Sequence, residues 1–361
     1  QTAWASLSFV ELSFQIVSLF VPTTAEEGGI PPDDLRELIT KSYATFRHED
    51  VTPLRRVSEH EWCLELWHGP TFAFKDVALQ LLGNLFEYFL ARRNATTSNA
   101  SRADRAPHTL TVLGATSGDT GSAAIAGLRS KENIHIFILH PRGRVSPIQE
   151  AQMTTVLDDN VHNLAVDGTF DDCQDIVKAL FSDKAFNDQH HLGAINSINW
   201  ARILSQIVYY FAAFFALRRE QPQIDASSVQ VVVPTGNFGD ILAGYYAKRL
   251  GVPMSKLVVA TNENDILQRF WATGRYEKES ASGEVRATLS PAMDILVSSN
   301  FERLLWYLAH ESDTVADDKE EAAGQQVTQW MHELKTRGSF AVSDAQWELA
   351  KRDFLAERVS N

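Results

Sequence analysis

Twice in this chain an apolar run ends in a glycine-rich turn that leads straight into a helical pattern, and this repetition constrains the fold more than any other feature. The first instance runs from residues 109–113 through Gly114-Ala115-Thr116-Ser117-Gly118-Asp119-Thr120-Gly121 into a helical 120–129. The second runs from 230–233 through Pro234-Thr235-Gly236-Asn237-Phe238-Gly239-Asp240 into a helical 241–250. Further strands are predicted at 134–139, 161–166 and 257–260, and further helices at 147–157, 171–181 and 198–218. Such alternation implies an α/β fold with a mostly parallel sheet covered by helices, because each parallel return needs a crossover. From residue 301 onward the patterns are helical only, at 321–335 and 344–357 among them. Residues 92–107, rich in Asn, Ser, Thr and Arg and without periodicity, read as a surface loop.

Composition narrows the class of function. A chain of 361 residues with 44% apolar content can bury a large core in two or three subdomains. The formal charge of −13 argues against a nucleic-acid partner, which requires clustered Lys and Arg. Cys63 and Cys173 lack zinc or disulfide spacing, and the 11 His residues show no metal-binding pattern, so no metal and a reducing cytoplasmic setting are expected. The apolar stretch 7–20 is interrupted by Glu11 and Gln15 and reads as an amphipathic helix rather than a signal peptide. The apolar run 207–217 covers about 11 residues against the roughly 20 of a membrane span, so a core helix and no membrane partner are expected. With no starting Met and a stop just after a helical pattern, the sequence reads as a piece of a longer protein.

Three places carry chemistry. His68-Gly69-Pro70-Thr71-Phe72-Ala73-Phe74-Lys75-Asp76 opens a helix whose apolar positions, from Phe74 through Leu90, keep helical spacing, with Lys75 beside the stripe. Desolvation and the positive helix end would lower the pKa of that amine, as an imine-forming lysine requires. Read alone, Lys75 is equally a lysine snorkelling from a helix N-terminus. The turn 114–121 is an anion cradle by position, or simply a tight strand-to-helix turn; without a following Lys or a G-x-G-x-x-G pattern it does not read as a nucleotide site. The turn 234–240 presents free helix N–H groups suited to a phosphate monoester, with glycines that allow close approach and Asn237 able to hydrogen-bond.

In this order, the helix-start lysine, the Ser-Gly-Asp-Thr-Gly turn and the Gly-Asn-Phe-Gly-Asp turn resemble the fold-type II pyridoxal-phosphate enzymes, and within them the fungal branch of the threonine synthase family. The resemblance covers nearly the whole chain, taking in Val51-Thr52-Pro53-Leu54, residues 143–153, residues 167–173 and Asn196-Ser197-Ile198-Asn199-Trp200-Ala201-Arg202. It implies the remainder of a helical N-terminal domain at 1–56 and a cofactor-binding catalytic domain at 57–361, with a smaller α/β subdomain at about 108–185. It implies pyridoxal 5'-phosphate as cofactor, Lys75 as the Schiff-base residue, and Gly236, Asn237, Phe238 and Asp240 as the cofactor loop. Ser117, Asp119 and Thr120 would meet the substrate, Asp119 standing where many relatives carry Asn. Arg144, Ser146, Asn196, Asn199 and Arg202 are candidates for the substrate phosphate. The activity implied is conversion of O-phospho-L-homoserine and water into L-threonine and phosphate. Relative to the family, the start of the N-terminal domain and a C-terminal stretch supplying a hydroxyl to the pyridine nitrogen are absent. A related phospho-lyase yielding a keto acid and a non-catalytic homologue are the alternatives.

Overall fold

The computed structural model describes residues 2–24, 28–98, 107–278, 285–312 and 318–359. The chain divides into two compact units, Gln1–Glu220 and Gln221–Asn361.

Unit 1 begins with helices α1 (Phe9–Val17) and α2 (Pro32–Tyr43), then an antiparallel pair, β1 (Leu54–Arg56) and β2 (Trp62–Leu64). Helix α3 (Asp76–Ser98) leads to β3 (Leu110–Ala115), α4 (Asp119–Leu128), β4 (Ile134–Pro141), α5 (Pro147–Thr154), β5 (Val161–Val166), α6 (Phe170–Ser182), α7 (Lys184–His190), β6 (Leu192–Ala194) and α8 (Trp200–Glu220). The four strands form a wholly parallel sheet in the order β5-β4-β3-β6. Ile134, Ile136 and Ile138 of β4 and Val112 of β3 pack with Ala123, Ala124, Ile125 and Leu128 of α4 and Leu79 and Leu82 of α3. Each fully buried Leu or Ile contributes about 1.5–3 kcal/mol relative to exposure. Helices α3 and α4 touch backbone to backbone: a Cβ on Gly83 would fall 2.0 Å from the Gly127 carbonyl oxygen.

One expectation changes here. Residues 92–98 are helical, as the end of α3; Arg92 lies over the rings of Tyr88 and Phe89 at 5.7 and 4.9 Å, and Ala91 and the Arg pair favour helix despite the polar composition. The rest of the expected loop to 106 lies outside the described residues. Helix α8, expected at 198–218, is found at Trp200–Glu220; it is long and apolar enough by composition to cross a membrane, but 67% of its apolar window is buried and it packs on α1 and α3, as a core helix does.

Unit 2 contains β7 (Gln230–Pro234), α9 (Gly239–Arg249), β8 (Lys256–Thr261), α10 (Ile266–Thr273), β9 (Arg275–Glu277), α11 (Phe301–Ser312), α12 (Lys319–Arg337), β10 (Ser339–Ala341), α13 (Asp344–Asp353) and β11 (Phe354–Arg358). Its parallel sheet has the order β11-β8-β7, and β9 and β10 form an antiparallel pair. The all-helical reading beyond residue 301 is therefore corrected. The predicted helix 344–357 ends at Asp353 and the chain continues as a strand, since Phe354 is buried against an aromatic core that includes Trp271 and Tyr245 and residues 354–358 find their backbone partners on β8. Tertiary pairing outweighs the local pattern there.

Candidate active site

Lys75 leaves a tightly folded loop one residue ahead of α3. Phe72 takes the left-handed conformation at φ 61°, with the Arg47 guanidinium 4.3 Å from its ring. Arg47 also donates to the Gly69 and Pro70 carbonyls. From the other side buried Asp76 accepts from the Thr71 N–H and hydroxyl, both at 2.8 Å, and Gln152 donates to the Thr71 carbonyl. Burial pushes the Asp76 carboxyl up, with the Thr71 bonds opposing. These contacts fix the loop that aims Lys75.

Lys75 is 8% exposed, and its Nζ donates to Asp119 Oδ1 at 2.6 Å. Desolvation pulls the amine below its ordinary pKa; the Asp119 carboxylate opposes that, and the Arg202 guanidinium adds to the lowering. Arg202, 3% exposed, is brought down to about 10 by its own burial, again opposed by Asp119. Its Nη1 donates to the Ile195 carbonyl at 2.8 Å, while its buried Nε has no partner among the described residues. One carboxylate thus faces two buried basic groups, Lys75 and Arg202, a setting that suits an incoming anion.

The turn beside this group is braced from within. Thr116 Oγ1 accepts from the Gly118 and Gly121 N–H groups, each at 2.9 Å. Gly118 sits at φ 149°, ψ −84°, a conformation only glycine adopts readily. Gln149 Oε1 lies where a Cβ on Gly118 would fall, and it is buried with no partner among the described residues. Ser117 and Thr120 are half-buried.

The expected phosphate contacts separate. Arg202 joins the Lys75–Asp119 pair through its field. Arg144 is exposed and faces Asp172 electrostatically. Ser146 caps α5 by accepting from the Gln149 N–H at 3.3 Å. Asn196 is exposed, and Asn199 Oδ1 accepts from the Ala201 N–H at 3.0 Å at the start of α8. Arg47, Thr71, Asp76, Gln149 and Gln152 were not legible as site residues, because what they meet, loop carbonyls for Arg47 and Gln152, each other for Thr71 and Asp76 and the bend at Gly118 for Gln149, is presented only by the folded chain.

Unit 2 builds a second candidate centre, on the turn after β7. The Thr235 N–H donates to the Ala260 carbonyl at 2.8 Å, extending the ladder with β8, and its hydroxyl donates to the Val233 carbonyl. Phe238 takes a left-handed conformation at φ 63°; its buried ring packs against Trp271, Phe301 and Phe354 at 5.4–6.1 Å. A Cβ on Gly236 would lie 3.0 Å from the Met293 Cα and 3.1 Å from the Ala292 carbonyl oxygen. Ser298 Oγ donates to the Gly236 carbonyl at 2.7 Å. The Asn300 side chain and backbone N–H both donate to the Asn237 carbonyl, at 2.9 and 3.1 Å, and Ser299 Oγ donates to Asn237 Oδ1 at 3.2 Å. Asp240 is half-buried in the first turn of α9. In the sequence, Ser298-Ser299-Asn300 ahead of a helix signals nothing beyond a helix start.

A family model described as pyridoxal-phosphate dependent enzyme matches residues 45–343. The chain is 56% identical to threonine synthase of Schizosaccharomyces pombe over 366 aligned positions, which cover 99% of this chain and 69% of that relative. The crystal structure of threonine synthase from yeast matches with a TM-score of 0.88 at 57% identity, covering 99% of this chain and 67% of that one. The structure of PLP-bound threonine synthase from Brucella melitensis matches at 0.84 and 44% identity, covering 99% and 69%. The chain spans about two thirds of the length of these relatives. The parallel α/β sheets flanked by helices are the fold-type II architecture expected from the sequence. With fold, cofactor class and near-complete coverage in agreement, the chain belongs to the threonine synthase family of pyridoxal-phosphate-dependent lyases.

Proposed function

We propose that this chain converts O-phospho-L-homoserine and water into L-threonine and phosphate, with Lys75 as the amine that holds the cofactor. The observation that carries the reading is the buried group in unit 1: a lysine with a lowered pKa, its carboxylate partner Asp119 and the second buried cation Arg202. The residues fit pyridoxal phosphate on their own chemistry. Lys75 supplies a desolvated amine for the aldehyde, and the turn 236–240, at the N-terminus of α9, supplies N–H groups and the helix dipole for the phosphate, with a glycine where a side chain would strike backbone.

Bound pyridoxal phosphate supplies an electron-withdrawing ring that acidifies the substrate carbons next to the amine. The chain's own residues do the rest. In the overall change the C–O bond at Cγ breaks and phosphate leaves, Cγ gains a proton, Cβ gives one up, and the oxygen of water bonds to Cβ. Lys75, once released from holding the cofactor, takes and returns those protons. Asp119, 2.6 Å from Nζ, stabilises the protonated amine between transfers. Arg202 holds the phosphate of the substrate, whose charge its guanidinium suits, its Nε having no partner among the described residues. Ser117 and Thr120, in the first turn of α4 or just ahead of it, receive the substrate carboxylate. The reaction belongs in the cytoplasm, in keeping with two free cysteines.

The test is to add pyridoxal phosphate to the purified chain and to Lys75→Ala, follow visible absorbance, and then offer O-phospho-L-homoserine. A band in the wild type that the variant lacks, followed by threonine and phosphate, supports the proposal. No band in the wild type sinks it, and a keto acid in place of threonine shows a phospho-lyase.

A further inference from the structure

We infer that Ser298 and Asn300 are positioning residues that aim the backbone N–H groups of Asn237 and Phe238 at the phosphate of the cofactor. The inference rests on the cofactor reading above and adds to it the device that orients the cradle. In a trans peptide the carbonyl and the following N–H point in opposite directions, and no described peptide bond of this chain is cis. Ser298 Oγ holds the Gly236 carbonyl at 2.7 Å, which turns the Asn237 N–H the other way. Asn300 grips the Asn237 carbonyl twice, at 2.9 Å from its side chain and 3.1 Å from its own N–H, which turns the Phe238 N–H likewise. Ser299 steadies the Asn237 side chain.

The far ends of these peptides agree. Among the described residues, no hydrogen bond leaves the N–H of Gly236, Asn237, Phe238 or Gly239. The segment carrying the three residues is itself anchored. Ser298 and Asn300 are 3% and 0% exposed, and the Ser298 N–H donates to the buried Tyr276 hydroxyl at 2.8 Å. Upstream, Asp294 accepts from Asn262, Asn264 and the Thr288 hydroxyl at 2.6–3.1 Å. Those two Asn residues follow β8, the strand paired with β7, so the sheet that carries the turn also anchors the segment that orients it. The left-handed Phe238, with its ring fixed among aromatics, completes a backbone bend that local sequence would not hold by itself.

The experiment compares affinity for pyridoxal phosphate with affinity for pyridoxal, which lacks the phosphate, by absorbance and tryptophan-fluorescence titration of the full chain. Ser298→Ala is expected to lower the affinity for pyridoxal phosphate roughly tenfold, the effect of losing a hydrogen-bond contribution to a charged group, and to leave pyridoxal unchanged. Ser298→Thr, which keeps the hydroxyl, is expected to recover most of the loss. Ser299→Ala, which removes the bond to the Asn237 side chain, should show the same selectivity with a smaller loss and serves if Ser298→Ala does not fold. Equal weakening toward both ligands, or no weakening of either, would overturn the inference. A wild type that binds pyridoxal as tightly as pyridoxal phosphate would instead overturn the cofactor reading on which it rests.

Discussion

The turn 114–121 of unit 1 and the turn 234–240 of unit 2 share a plan, a parallel strand running into a glycine-rich bend and then a helix, but they direct their polar groups differently. In the first, Thr116 accepts two of the turn's own N–H groups, and the chemistry comes from side chains beside it, Lys75 and Asp119, with Arg202 acting through its charge. In the second, the side chains of Ser298, Ser299 and Asn300 arrive from some 62 residues away in sequence, hold the carbonyls and Asn237, and leave the N–H groups without partners among the described residues. Even the equivalent threonines differ: Thr116 Oγ1 accepts, whereas Thr235 Oγ1 donates to Val233. One pattern of residues therefore yields a charge centre in one unit and a backbone cradle in the other, and the difference lies in which end of the peptide is held.

The largest expected effect tests the charge centre. Lys75→Ala should reduce threonine formation by about 10³-fold or more, because both cofactor holding and proton transfer are lost; a residual rate within tenfold of the wild type would break the assignment. Next, Thr116→Val should cost about 2–4 kcal/mol in urea unfolding, because two buried N–H groups lose their acceptor. Thr235→Val should cost about 1 kcal/mol, because only one donor is removed. Equal losses would show that the two turns are braced alike. The smallest effect concerns pH. Burial lowers the Lys75 pKa and Asp119 raises it, so Asp119→Asn should lower it further. The rate at which the cofactor band grows in the cofactor-free chain should then reach half its maximum at lower pH than in the wild type. The same sign governs stability. A folded-state pKa below the unfolded 10.5 means that burying charged Lys75 destabilises the cofactor-free fold most below the folded pKa, and that this penalty fades as pH rises from there toward 10.5.

Much of this was legible in the sequence because it depends on local pattern. The strand at 161–166 matches its predicted bounds, and the helices of both strand–turn–helix junctions start within two residues of theirs. Lys75 stood out because glycine, proline and phenylalanine surround it ahead of an amphipathic helix. What failed depends on distant partners. Residues 354–358 contain no β-branched residue and read as the tail of a helix, yet their ladder partner is β8, nearly a hundred residues earlier. Ser298 and Asn300 look like helix-start residues, and their role exists only where the turn is folded against them. Composition also misled at 92–98, where arginines packed on tyrosine and phenylalanine rings keep α3 going through a polar stretch.

The late strand β11 also sets an order of events at the ribosome. Unit 1 has all four strands of its sheet once Ala194 has emerged, so it can collapse while the remainder is being made. In unit 2, β8 pairs on one side with β7, already available, and on the other with residues 354–358. Until Arg358 leaves the exit tunnel, one flank of β8 shows an unpaired row of backbone donors and acceptors, a template for wrong partners. A nascent chain stalled before residue 354 should therefore engage chaperones more persistently than one stalled shortly after residue 220.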